Sequence, residues 1–151
     1  MRAGIGLVVL LSLTGAAAAA TAPAKCYRGA EIEADQAIKY QTELMVLSDA
    51  CRAPSYVAFL TRNQNAVIAY QHVMERHFSR TGARDGQAAL DRYMTQLANR
   101  TSLAYEGRSR AALCSGAARF LTAGGKVDGS AFHKIAAARA ADRRTAYRAC
   151  E

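Results

Sequence analysis

The 151-residue chain has no tryptophan, two prolines, three histidines and only 12 acidic residues against 20 basic ones. With so little proline and 11 glycines, collagen-like repeats, Pro/Gly-rich linkers and low-complexity tails are excluded. The only histidines are His72, His77 and His133, which leaves few ligands for a metal centre. The four cysteines form no C-x-x-C redox pair, no haem-attachment motif and no zinc-type Cys/His spacing. No glycine loop is followed by the G-K-[ST] that cradles phosphates, since Gly124-Gly125 runs into Lys126-Val127. The 51% hydrophobic fraction, by contrast, is enough to build the core of one ordinary domain.

The first 24 residues read as an export signal. Arg2 supplies a positive start, Ile5 to Leu13 a short apolar run, and Ala16 to Ala20 a small-residue end. The run is shorter than the ~20 apolar residues of a transmembrane helix. Cleavage is expected after Ala20 or after Ala24, leaving residues 25–151 as a single helical domain without stable membrane insertion. Sixteen of the 20 basic residues are arginine and alanine is abundant, a composition that suits a GC-rich bacterium and hence the periplasm.

Charge is unevenly placed. Residues 25–107 carry a balance of +1, whereas residues 108–151 carry +6. Export and the lack of any recognised binding motif argue against nucleic acid as the partner. An anionic envelope component or an acidic protein face fits better.

Apolar spacing gives five helices and no strand, an all-α bundle. The first, about Glu31–Cys51, carries Ala30, Ala34, Ala37, Tyr40, Leu44, Leu47 and Cys51 on one face, with Glu31, Glu33 and Asp35 at the positive end of its dipole. The second spans about Pro54–Arg80, with Gly82 just past its end. The third follows an Asp85 cap and keeps its stripe to Tyr105, where Gly107 ends it. Ser109 caps the fourth and Gly124-Gly125 stops it. Asp128 or Ser130 caps the fifth, which runs towards Cys150. Short connections favour antiparallel neighbours.

An even cysteine count in an exported chain predicts two disulfides. Alternating helices bring Cys51 and Cys114 to the same end of the bundle. Cys26 is then left with Cys150, but a straight fifth helix would carry Cys150 about 30 Å away at ~1.5 Å per residue. A crossing or broken fifth helix would remove the conflict. An extended N-terminal segment or an intermolecular bridge would also do so.

Catalytic constellations are weak, and no enzyme, cofactor or metal site is expected. Ser115 has no nucleophile elbow, Ser130 and His133 look like a cap and a surface histidine, and Glu43 and Asp49 suggest no cleft. His72, Met74 and His77 combine imidazole and thioether, but a helix turns the two histidines about 140° apart. The fifth helix is more suggestive. At about 100° per residue, Arg139 and Arg143 fall within about 20° of Phe132, with Ala136 and Tyr147 on the same face. Arg139, Arg143, Arg144 and Arg148 are therefore the candidate binding surface. The competing expectation is that Arg139 and Arg143 lay their stems over the core edge or pair with carboxylates such as Asp35 or Glu43.

Two resemblances accompany these features. Glu43-Leu44-Met45-Val46, Cys51, Tyr56, Phe59, Leu97-Ala98-Asn99, Ser102 and Cys114 form a pattern over residues 38–120 that resembles a group of uncharacterised small exported alphaproteobacterial proteins. It implies export, helicity and a Cys51–Cys114 bridge, and brings no activity with it. Leu60-Thr61-Arg62-Asn63-Gln64 is similar to the L-T-x-x-Q motif of helical periplasmic stress chaperones, without a convincing second copy. The function expected is that of an exported binding protein without catalysis, its partner unknown, with an envelope-stress chaperone as the alternative.

Overall fold

Helix α1 (Gly29–Cys51) packs against all four other helices: α2 (Ser55–Arg80), α3 (Gly86–Leu103), α4 (Arg110–Gly124) and α5 (Gly129–Asp142). These elements come from a computed structural model that describes residues 25–150; the expected export signal and Glu151 lie outside the described residues. Among the described residues there is no strand beyond an isolated bridge between Tyr27 and Ala149, and no helix is long and apolar enough to cross a membrane.

The apolar steps read from the sequence bury α1 along most of its length: Ala34, Ala37, Tyr40, Leu44 and Leu47 are in the core, whereas Ala30 in the first turn is exposed and Cys51 at the end is half-buried. Its central place buries polar residues too, among them Glu31, Asp35, Gln41, Thr42, Glu43 and Ser48. Phe59 and Phe132 are fully buried and meet edge to face at 4.9 Å, with Tyr40 and Tyr70 around them. Each such ring contributes about 2–3 kcal/mol by leaving water. A second cluster of Ala34, Ile38, Met74 and Leu90 shares Tyr70 with the first.

The caps follow the sequence closely. Asp85 accepts from the Ala88 amide (3.0 Å), Ser109 from Ala112 (3.3 Å), and Asp128, rather than Ser130, from the first amides of α5. Gly82 turns the chain after α2 with φ 106°, a conformation that suits glycine.

Three departures matter for function. First, the backbone of α4 packs against α1 and α2 and not against α3 or α5, its neighbours in sequence, so the simple up-and-down order fails. The Cys51–Cys114 disulfide ties its first turns to the end of α1, and at its other end Gly124 meets Leu44 and Gly125 meets Ser55. Arg62 and Asn63 of α2 hold the following turn by donating to the carbonyls of Gly125 (2.6 Å) and Val127 (2.8 Å). Second, α3 stops at Leu103, and Tyr105 lies in the turn beyond it.

Third, α5 ends at Asp142 instead of continuing towards Cys150. Arg144 adopts a left-handed φ of 50°, and the tail returns along α1. Its end pairs with the N-terminal segment: the Tyr27 amide donates to Arg148 O (2.8 Å) and the Cys150 amide to Tyr27 O (2.9 Å). The broken helix removes the 30 Å objection, and Cys26 and Cys150 are joined with Cα atoms 5.0 Å apart. Both disulfides are therefore intramolecular.

Candidate functional site

Three buried carboxylates of α1 organise the polar interior. Glu31 accepts from the Arg28 amide (2.8 Å), from Arg80 Nε (3.0 Å) and from His77 Nδ1 (3.0 Å). Burial alone would raise its pKa, but the hydrogen bonds from Arg80, the Arg28 backbone and His77 win and hold it at about 2. Arg80 also donates to the Cys26 carbonyl at 2.8 Å, and His77 stacks on Tyr27 at 4.3 Å. This network locks the terminal disulfide onto α2.

Asp35 is ringed by Lys39 (2.6 Å), the Tyr147 hydroxyl (2.7 Å) and the Tyr93 hydroxyl. Burial and the nearby Asp35 charge push both tyrosines well above the ordinary phenol range, so they stay protonated as donors. Glu43 takes a bidentate bond from Arg139 (2.9 and 2.6 Å), one bond from the Tyr105 hydroxyl (2.6 Å) and one from Arg143. Burial raises the Glu43 pKa, and the bonds from Arg139 and Tyr105 outweigh it, so the group is held below its ordinary value.

The candidate arginines thus divide. Arg139 and Arg143 pair with Glu43, and Arg139 also lies over the Phe120 ring at 4.8 Å. The sequence expectation of pairing with a carboxylate holds for these two. Arg144 and Arg148 lie beyond the end of α5 in the returning tail and are exposed. Tyr147 is likewise not on the α5 face; it reaches Asp35 from the tail. Of the nine basic residues from Arg108 to Arg148, all but Arg139 are exposed.

The histidine–methionine set does not converge. Met74 is fully buried, His77 is consumed by Glu31, and exposed His72 pairs with Glu75 at 3.3 Å. Among the described residues no group of three or more His, Cys, Asp or Glu side chains is arranged to hold a metal ion. Ser115 is exposed on α4, Ser130 bonds the capping Asp128 (2.8 Å), and His133 is half-buried on α5. In the L-T-x-x-Q segment, Thr61 returns its hydroxyl to Val57 O (2.9 Å) and Gln64 is exposed.

Two concavities flank Tyr105. An open groove of about 1030 Å³ runs between the end of α1, the start of α2 and the end of α3; Val57 and Leu103 on it are 67% and 62% exposed. A smaller pocket of about 230 Å³ lies between α1, α3 and α5, with Lys39, Arg100, Arg139 and Arg143 around Glu43. Sequence reasoning missed Arg100 and Lys39 because they lie outside the basic C-terminal third. Arg100 stands three residues after Leu97 on α3, a helical-neighbour spacing that was the only available signal.

Compared with known proteins, the chain matches no family model, no curated protein and no solved structure.

Proposed function

We propose that this chain is an exported, non-catalytic binding protein that contacts an anionic component of the bacterial envelope through its basic C-terminal third. The observation that carries the reading is the exposure of eight of the nine basic residues between Arg108 and Arg148, opposed there only by Asp128 and Asp142 among the described residues. Such a surplus attracts polyanions through a field that salt screens. The two disulfides favour an oxidising compartment, and the periplasm with a cleaved N-terminal signal is the version of it proposed here. Glu31, Asp35 and Glu43 each accept from several donors and hold the helices and the tail together.

The test is co-sedimentation of the purified, disulfide-bonded chain with vesicles of anionic phospholipid and with zwitterionic vesicles. Retention on the anionic vesicles alone, weakening as salt rises, supports the reading. Equal retention on both, or none at low salt, overturns it. The chaperone alternative would draw on the open apolar groove beside Val57 and Leu103. It requires suppression of aggregation of several unfolded clients at equimolar amounts, which the anionic-contact reading does not.

A further inference from the structure

We propose that the pocket between α1, α3 and α5 is a binding site for a single oxyanion group, with phosphate the best-fitting chemistry. This deepens the anionic-contact reading and rests on it. The pocket, about 230 Å³, is of a size for one small group rather than a drug-sized ligand. Four cations line it, and two are already balanced: Lys39 by Asp35 at 2.6 Å, and Arg139 by its bidentate bond to Glu43. Arg143 shares that same Glu43, and Arg100 has no ion pair among the described residues, so positive charge remains in excess.

The donors are also available. Arg100 spends only its Nε, on the Gln96 carbonyl at 3.3 Å, which leaves both terminal nitrogens. Arg143 uses Nη2 towards Glu43 and Tyr105, leaving its Nε and Nη1. Thr145 lines the same pocket, and its hydroxyl has no hydrogen-bond partner among the described residues. Planar guanidinium groups suit phosphate because two parallel N–H bonds match two of its oxygens.

Glu43 pre-organises the site. The Glu43 carboxylate in its lining holds Arg139 and Arg143 together against their mutual repulsion, the Phe120 ring lies against Arg139, and the Tyr105 hydroxyl accepts from Arg143. An arriving oxyanion then meets arginines already held in place, with little side-chain ordering left to do.

The experiment titrates inorganic phosphate into the purified, disulfide-bonded chain at constant ionic strength, followed by calorimetry and by arginine side-chain NMR shifts. The expected result is one-site saturation with shifts at Arg100 and Arg143. R100Q and T145V should each weaken it, R100Q by about tenfold as expected for loss of a charged donor. R119Q, on exposed α4, should leave it unchanged. Binding that does not saturate overturns the site, as does parent-like binding by both R100Q and T145V with unaltered melting. Displacement of vesicle-bound protein by phosphate would identify a lipid headgroup as the source of the oxyanion. Phosphate binding without vesicle retention would identify a free one and overturn the surface reading alone. Retention that R144E/R148E abolishes, with no phosphate binding, would overturn the pocket and leave that reading standing.

Discussion

Glu43 of α1 and Arg139 of α5 are joined by two parallel hydrogen bonds, Nε to Oε2 at 2.9 Å and Nη2 to Oε1 at 2.6 Å, across 96 residues of sequence. The pair fixes where the last helix crosses the central one. It also decides which arginines of the basic C-terminal third are left for a partner.

Removing the Glu43 charge should therefore loosen the seating of α5 on α1. Glu43→Gln keeps the shape but leaves Arg139 and Arg143 facing each other without a counter-charge. A loss of about 2–3 kcal/mol is expected, near the lower end for breaking a buried pair because both arginines are partly solvated. Urea unfolding of the oxidised chain measures it. A change below about 0.5 kcal/mol, typical of a surface substitution, would mean that the pair does not hold the helices together.

Acid should unlock the other end of the molecule. Glu31 has a pKa of about 2 in the fold against an ordinary 4.5. A depressed carboxylate stabilises fully above its ordinary value, and that contribution fades as pH falls from about 4.5 through about 2. The amount at stake is on the order of 3 kcal/mol for a shift of that size. Stability measured between pH 6 and pH 2 should fall, and Glu31→Gln should flatten that fall. A variant with an acid limb as steep as the parent's would contradict the Glu31–His77–Arg80 assignment.

The disulfides make a third prediction. They close separations of 124 and 63 residues. By loop entropy these correspond to about 5 and about 4 kcal/mol respectively. Peptide mapping of the protein recovered from its natural compartment should find Cys26–Cys150 and Cys51–Cys114, with a mature terminus after Ala20 or Ala24. Reduced thiols on an uncleaved chain would contradict export. Replacing both members of either pair by serine should lower the midpoint of unfolding without changing the helical content at low temperature.

How much of this was legible in the sequence depends on what each residue announces. The stripe of α1 and the Asp85, Ser109 and Asp128 caps were readable, because helical period and short polar side chains carry local signals. The end of α5 was not. No glycine or proline marks Arg143-Arg144-Thr145, and Arg144 turns the chain at φ 50° because the disulfide and the Tyr27 bonds draw the tail back. Glu31 and Asp35 read as ordinary first-turn acids. Their burial follows from α1 being enclosed by four helices, which periodicity on one helix does not reveal. The small pocket was hidden for a related reason, since Lys39, Arg100 and Arg143 come from three helices or their ends, far apart in sequence.

The most direct test of the central claim is charge reversal at the two tail arginines that take no part in the Glu43 cluster. R144E/R148E should melt within a few degrees of the parent, since both side chains are exposed. Its affinity for anionic phospholipid vesicles should fall by about tenfold or more at low salt, and its salt dependence should become shallower. Affinity and salt dependence equal to the parent's, in a variant shown to be folded, would contradict an anionic contact through this surface.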